Sequence, residues 1–268
     1  MSYVNRPIGV FDSGAGGLTS VRQLIKFLPN EDIIYLGDTA RVPYGNKSKD
    51  TIIKFSVQNA LYLFKFKVKL IVIACNTSSS LALPQLKRYF QIPIIGVIEP
   101  GVKKALEITK NSRIGVIGTN ATIESNAYQD KIKRQNPSIK VFTKSCPLFV
   151  PLAEEGWLND KVTFEVIQRY LKPLKKQKID TLILGCTHYP LLKTSIARAM
   201  GPGINLVDSA REVALNCKRL MQQKAICANA KRKGRVRFYL TDQPHNFKKL
   251  AQQFLGQRID CVYRAKVD

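Results

Sequence analysis

The chain has 268 residues, 45% hydrophobic and 23% charged, and its 43 Lys and Arg against 19 Asp and Glu leave a net charge of +24. That is the composition of an ordinary globular protein, long enough for one large domain or two smaller ones with their own cores. No apolar run approaches the roughly 20 residues that span a bilayer, and Met1 to Pro7 lacks the layout of a signal peptide, so a soluble, cytoplasmic chain is expected.

Short apolar, β-branched runs alternate with amphipathic stretches from one end to the other. Strands are predicted at Ile8–Phe11, Ile33–Leu36, Leu70–Ala74, Ile92–Val97, Ile114–Ile117, Lys140–Thr143, Thr181–Leu184, Asn205–Val207, Val236–Leu240 and Cys261–Tyr263. Helical spacing is carried by Leu18, Val21, Ile25 and Leu28, by Ile53, Val57, Leu61 and Phe64, and by Val162, Val166, Tyr170 and Leu174. This alternation implies an α/β fold with mainly parallel sheets flanked by helices, its ligands bound at the carboxyl ends of strands.

The sequence also echoes itself. Ile8-Gly-Val-Phe-Asp-Ser-Gly resembles Ile114-Gly-Val-Ile-Gly-Thr-Asn, and Leu70-Ile-Val-Ile-Ala-Cys-Asn-Thr resembles Thr181-Leu-Ile-Leu-Gly-Cys-Thr-His at nearly the same offset. Two pseudo-symmetric lobes are therefore expected, with the active site in the cleft between them. The break at Glu99-Pro100-Gly101 and the end of the second echo near Asp208 divide them. Residues 1–97 with 208–268 form the lobe of Cys75, and residues 98–207 the lobe of Cys186.

Six cysteines, Cys75, Cys146, Cys186, Cys217, Cys227 and Cys261, are scattered without a C-x-x-C pair or zinc-finger spacing. Neither a disulfide framework nor a structural zinc is expected. Cys75 and Cys186 differ from the others. Each follows an apolar strand at its carboxyl end, and each precedes hydrogen-bonding residues, Asn76-Thr77 and Thr187-His188, that are costly to bury unpartnered. Two thiols facing each other across a cleft suit inversion at a carbon. One takes the proton from one face, the other returns a proton to the opposite face, and the roles exchange in the reverse direction. A hydrolase or acyl transferase needs only one such nucleophile.

Other residues have two readings each. Phe11-Asp12-Ser13-Gly14-Ala15-Gly16-Gly17 turns from a strand into a helix, where glycines let backbone N–H groups approach an anion, but its spacing fits neither a dinucleotide fingerprint nor a P-loop. Asp12 and Ser13 would orient a substrate ammonium or tune a thiol, or simply cap the helix. Tyr44 and Gly45 form a substrate-contacting turn or only a turn. His188 shares its side of an extended segment with Cys186 and polarises it, or stands behind it without effect. Glu154, by contrast, reads as a helix-start acid only.

The charge raises a polyanion-binding alternative. Its densest runs, Lys172 to Lys178 and Lys231 to Arg237, flank predicted strands and read as solvated loops. No nucleic-acid fold signature accompanies them, so only salt-sensitive, sequence-blind binding is expected and no specific nucleic-acid partner.

Taken in order, several segments resemble the glutamate racemases of the aspartate/glutamate racemase family. They are Phe-Asp-Ser-Gly-Ala-Gly-Gly-Leu (11–18), Gly-Asp-Thr-Ala-Arg-Val-Pro-Tyr-Gly (37–45), Ala-Cys-Asn-Thr (74–77), Gly-Val-Ile-Glu-Pro-Gly (96–101), Cys-Pro-Leu-Phe-Val-Pro-Leu-Ala-Glu-Glu-Gly (146–156), Leu-Gly-Cys-Thr-His-Tyr-Pro-Leu-Leu (184–192) and Val-Asp-Ser-Ala (207–210). The resemblance implies interconversion of L- and D-glutamate, supplying D-glutamate for bacterial peptidoglycan, with neither metal nor pyridoxal phosphate nor any other cofactor. It makes Cys75 the acid/base for D-glutamate and Cys186 that for L-glutamate, assisted by Asp12, His188 and Glu154. Asp12, Ser13, Tyr44, Gly45, Asn76, Thr77, Thr119, Thr122, Thr187 and His188 would contact the substrate. Similar enzymes often form dimers, so a homodimer is an expected assembly. Ser78-Ser79-Ser80 stand where the family tends to carry alanines, a small change. The thiols themselves do not separate glutamate from aspartate, and an aspartate racemase of the same type is the nearest alternative.

Overall fold

The computed structural model describes residues 2–229, 232–243, 247–259 and 261–267. In chain order its elements are β1 (Ile8–Asp12), α1 (Leu18–Phe27), β2 (Ile33–Gly37), α2 (Lys49–Phe64), β3 (Leu70–Ile73), α3 (Asn76–Leu81), α4 (Leu83–Tyr89), β4 (Ile94–Gly96) and α5 (Ile98–Ile108). Then follow β5 (Arg113–Gly118), α6 (Asn120–Glu124), α7 (Ala127–Gln135), β6 (Lys140–Ser145), α8 (Phe149–Glu154), α9 (Lys161–Lys176), β7 (Thr181–Gly185), α10 (Lys193–Met200) and β8 (Asn205–Asp208). The last are α11 (Ser209–Gln223), β9 (Val236–Leu240), α12 (Phe247–Leu255) and β10 (Val262–Arg264). Each of the ten predicted strands is present within a residue or two of its expected limits.

The strands form two parallel sheets in the orders β10-β9-β2-β1-β3-β4 and β6-β5-β7-β8. Four adjacent strands of the first, β2-β1-β3-β4, match the whole of the second, element for element. Ile8 pairs with Ile33 and Leu70; its echo Ile114 pairs with Val141 and Thr181. The two strands after Asp208 extend the first sheet beyond β2. β1, β2, β3 and β7 are buried along their whole length, as continuous apolar strands covered by helices on both faces should be. One apolar core runs from Ile8, Val10 and Val72 of the first sheet to Ile114, Val116 and Ile183 of the second. It passes through Val102 and Ala105 of α5 and Val213 and Ala214 of α11.

Four local expectations are corrected. In α2 the buried side chains are Ile52, Ser56, Asn59, Ala60 and Leu63, whereas Leu61 and Phe64 are exposed. In α9 they are Thr163, Ile167, Leu171 and Leu174, whereas Val162 is exposed. Both helices carry two adjacent apolar stripes, and the neighbouring one faces the sheet. Glu99-Pro100-Gly101 is no break but lies in the first turns of α5, where a proline removes no helical hydrogen bond. The Lys172–Lys176 run ends α9 rather than forming a loop, with its cations at the negative pole of the helix. Of the second basic run, Arg232 pairs with Asp32 at 2.8 Å, and Lys231 lies outside the described residues. Among the described residues no helix is long and apolar enough to cross a membrane.

Candidate active site

The carboxyl ends of β1, β3, β5 and β7 converge on one cavity. It is lined by Ser13, Val42, Pro43, Tyr44, Gly45, Cys75, Asn76, Thr77, Thr119, Val150, Gly185, Cys186, Thr187 and His188. Its free volume is about 40 Å³, room for a few waters. Both thiols reach it from equivalent positions, just beyond β3 and just beyond β7.

Their settings differ. Cys75 is the N-cap of α3, and its sulfur accepts the Ser78 N–H at 3.5 Å. Its thiol donates to Ser13 Oγ at 3.8 Å. Burial and the Asp12 carboxylate push the thiol up to about 11, while the Ser78 and Ser13 contacts pull the other way. Cys186 is instead partnered by a side chain, with Sγ 3.7 Å from His188 Nδ1. The segment after β7 is a turn rather than extended, because His188 adopts a helical backbone that leads into Tyr189–Leu192. The turn, not strand alternation, brings the imidazole back to the thiol.

The other face of that ring meets Glu154, whose Oε1 lies 2.9 Å from His188 Nε2. Glu154 ends α8 rather than starting a helix. Burial alone lowers the imidazole pKa, but Cys186 and Glu154 outweigh it and raise it to about 10. The Phe254 ring of α12 stands edge-on to His188 at 5.1 Å, and Gln253 Nε2 donates to the Ala153 carbonyl at 3.1 Å. Gly16 supports the same ring from the glycine turn. A Cβ there would lie 2.3 Å from Thr187 Oγ1 and 2.6 Å from His188 Cε1.

Asp12 is fully buried behind the cavity wall. Gly14 N–H donates to its Oδ2 at 3.0 Å, but Oδ1 has no partner. Burial raises its pKa, opposed by His188 and by the N–H groups of Gly14, Gly17 and Ser13. Gly17, not Asp12, is the N-cap of α1, so the plain capping alternative fails.

Thr77, Thr119 and Thr187 supply the hydroxyls of the remaining wall, beside the apolar Val42, Pro43 and Val150. Thr77 Oγ1 lies 3.0 Å from Thr119 Oγ1 and 3.2 Å from Thr122 Oγ1, tying the first sheet to the second. Thr122 is fully buried and does not line the cavity; it holds the other two threonines. Tyr44 and Gly45 do line it, but the Tyr44 hydroxyl donates to Asp38 and accepts from Asn59, so it is committed to the protein. Gly45 permits the close approach of Thr119, whose Cβ would be 2.8 Å from an added Cβ.

Several participants carry no sequence signal strong enough to single them out. Ser209 sits within the Val-Asp-Ser-Ala segment. Val42 and Val150 lie within quoted segments but are plain apolar residues there, and Tyr128 and Phe254 belong to no motif at all. Cys146 is buried among apolar neighbours beside Cys186, and burial raises its thiol well beyond the ordinary range. Among the described residues no group of three or more His, Cys, Asp or Glu is placed to hold a metal ion.

Two parallel sheets flanked by helices and meeting at one cavity match racemase structures in fold. The chain belongs to the Asp/Glu/hydantoin racemase family, whose model matches residues 20–216, and is an amino-acid racemase. It is 45% identical to the glutamate racemase of Geobacter metallireducens, over 98% of this chain and 97% of that one. It is 48% identical to the glutamate racemase of Aquifex aeolicus, over 97% and 98%. The crystal structure of Francisella tularensis glutamate racemase in complex with D-glutamate superposes with a TM-score of 0.93 at 41% identity, covering 99% of each chain.

Proposed function

We propose that this chain interconverts L- and D-glutamate without a cofactor, by proton transfer at Cα between Cys75 and Cys186. The observation that carries the reading is the pair of thiols at equivalent strand ends of two matched sheets, both lining one cavity. The relatives named above favour glutamate over aspartate.

In this reading Cys75 takes the proton from D-glutamate and Cys186 from L-glutamate. His188, charged and held by Glu154, stabilises a thiolate at Cys186. The α3 N-terminus and the Ser78 N–H do the same for Cys75. Asp12 Oδ1, buried behind the wall and lacking a protein partner, comes into reach of the substrate ammonium only as the lobes part, and Asn76, Thr77, Thr119 and Thr187 receive the carboxylates. Residues 1–97 with 208–268 form one lobe and 98–207 the other. They part to admit the substrate, which needs more room than a few waters occupy. The enzyme works in the cytoplasm, as a homodimer, and supplies D-glutamate for peptidoglycan.

The test is a circular-dichroism assay of the reduced protein, without additives, on single enantiomers of glutamate and aspartate. Racemisation of glutamate far faster than aspartate is expected. Run in D2O and stopped early, it should place deuterium on product Cα and little on remaining substrate. Preferred turnover of aspartate, or equal labelling of both pools, overturns the reading.

A further inference from the structure

Tyr128, on α7, touches the neighbours of both thiols without lining the cavity. Its hydroxyl lies 2.6 Å from Asn76 Oδ1 and 3.3 Å from Ser209 Oγ. Ser209 Oγ in turn donates to the Leu184 carbonyl at 2.9 Å. Asn76 follows Cys75, and Leu184 stands two residues before Cys186. The Tyr128 ring closes the same gap from the side, because a Cβ on Gly185 would lie 3.2 Å from its Cε2. Tyr128 is fully buried, so water does not replace any of these contacts.

Proton counting fixes the direction of the bonds. Ser209 has one hydroxyl proton and gives it to a carbonyl, which can only accept. Tyr128 then gives its own proton to the nearer acceptor, Asn76 Oδ1. An amide whose oxygen is held from behind has its NH2 turned the other way. Asn76 lines the cavity, and its Nδ2 is buried with no partner in the protein. A buried donor left unpaired costs free energy that a ligand acceptor recovers.

We propose that Tyr128 is a positioning residue that fixes the Asn76 side-chain amide with its NH2 toward the cavity, as the donor for a substrate carboxylate. The inference rests on the racemase reading for the identity of the ligand, but the amide orientation does not depend on it. Because the contact holds substrate in the ground and transition states alike, its loss acts on KM.

The experiment is a double-mutant cycle with Tyr128→Phe and Asn76→Ala, read as kcat and KM for each glutamate enantiomer. Tyr128→Phe keeps the ring and removes the hydroxyl. It should raise KM about three- to tenfold, the worth of a neutral hydrogen bond, with kcat little changed. On the Asn76→Ala background it should have no further effect on KM. An unchanged KM in Tyr128→Phe, or the same increment on both backgrounds, overturns the proposal. A second readout is independent of turnover. The Asn76 side-chain amide resonances, assigned by their loss in Asn76→Ala, should shift in Tyr128→Phe; resonances that stay in place overturn the proposal. If the native protein does not racemise glutamate, the functional reading fails while the amide resonances still decide the role of Tyr128.

Discussion

Cys186 Sγ lies 3.7 Å from His188 Nδ1, whereas Cys75 has no imidazole beside it among the described residues; it accepts from the Ser78 N–H at the α3 N-terminus and donates to Ser13 Oγ. The two thiols are equivalent in topology and different in chemistry. A charge sits next to one and backbone dipoles next to the other. The first prediction follows from that charge. The His188 pKa is raised from its ordinary 6.5 to about 10, so its ion pairing stabilises the folded state fully below about pH 6.5. That contribution is lost as pH rises toward about 10. Glu154→Gln removes one partner. Its melting temperature should therefore fall below the native value at pH 6, with the gap narrowing toward pH 10. A gap that widens with pH contradicts the pairing.

Asp12 gives the second prediction. Burial raises its pKa, so ionised Asp12 weakens the fold above the ordinary carboxylate range, where it must stay charged without water. Asp12→Asn removes that cost and keeps an oxygen for Gly14 N–H. The variant should melt no lower than the native protein at pH 7 while losing activity about a hundredfold or more. The Asp12 charge also raises the Cys75 thiol. Alkylation of Cys75, followed by mass spectrometry against pH, should therefore shift to lower pH in Asp12→Asn. A shift to higher pH would count against the coupling.

Gly16 and Gly14 make a matched pair. A Cβ at Gly16 meets Thr187 and His188 at 2.3–2.7 Å, but one at Gly14 finds nothing nearer than Val42 Cγ2 at 3.5 Å. Gly16→Ala should displace the imidazole, lower stability by about 1–3 kcal/mol as overpacking does, and slow turnover from L-glutamate. Gly14→Ala should be near neutral in both denaturant midpoint and rate. Equal behaviour of the two variants would mean that the turn does not hold His188.

The parts of this site that were legible in the sequence are those made by local rules. Apolar strands ending in Cys75 and Cys186, and the glycine turn at 14–17, declare themselves because strand burial and turn chemistry act over a few residues. The parts that were not legible depend on which face meets what. Leu61, Phe64 and Val162 repeat at helical spacing, yet Ile52, Leu63 and Ile167 are the buried side chains. A 3.6-residue period shows that an apolar face exists but does not choose between adjacent stripes. The approach of His188 to Cys186 depends on a turn where an extended segment was expected. Tyr128 meets Asn76 across 52 residues, and no local pattern marks a tyrosine for that contact.

The two thiols give the sharpest prediction. If each serves one face of Cα, replacing either with serine should abolish racemisation, since the proton must be returned from the far side. A misfolded variant would fail in the same way, so loss of racemisation alone decides little. Elimination from a β-chloro analogue of glutamate separates the cases. It needs one base to remove the Cα proton, after which the electron pair forms the Cα–Cβ double bond and chloride leaves; no second thiol takes part. Cys186→Ser should therefore still eliminate from the D analogue through Cys75, and Cys75→Ser from the L analogue through Cys186. Each should lose the other enantiomer by about two orders of magnitude or more. Retained elimination also shows that the variant is folded. Chloride release from each enantiomer measures all four rates, and the ratio of D to L should invert between the variants. The same preference in both would sink the assignment of one thiol to each face.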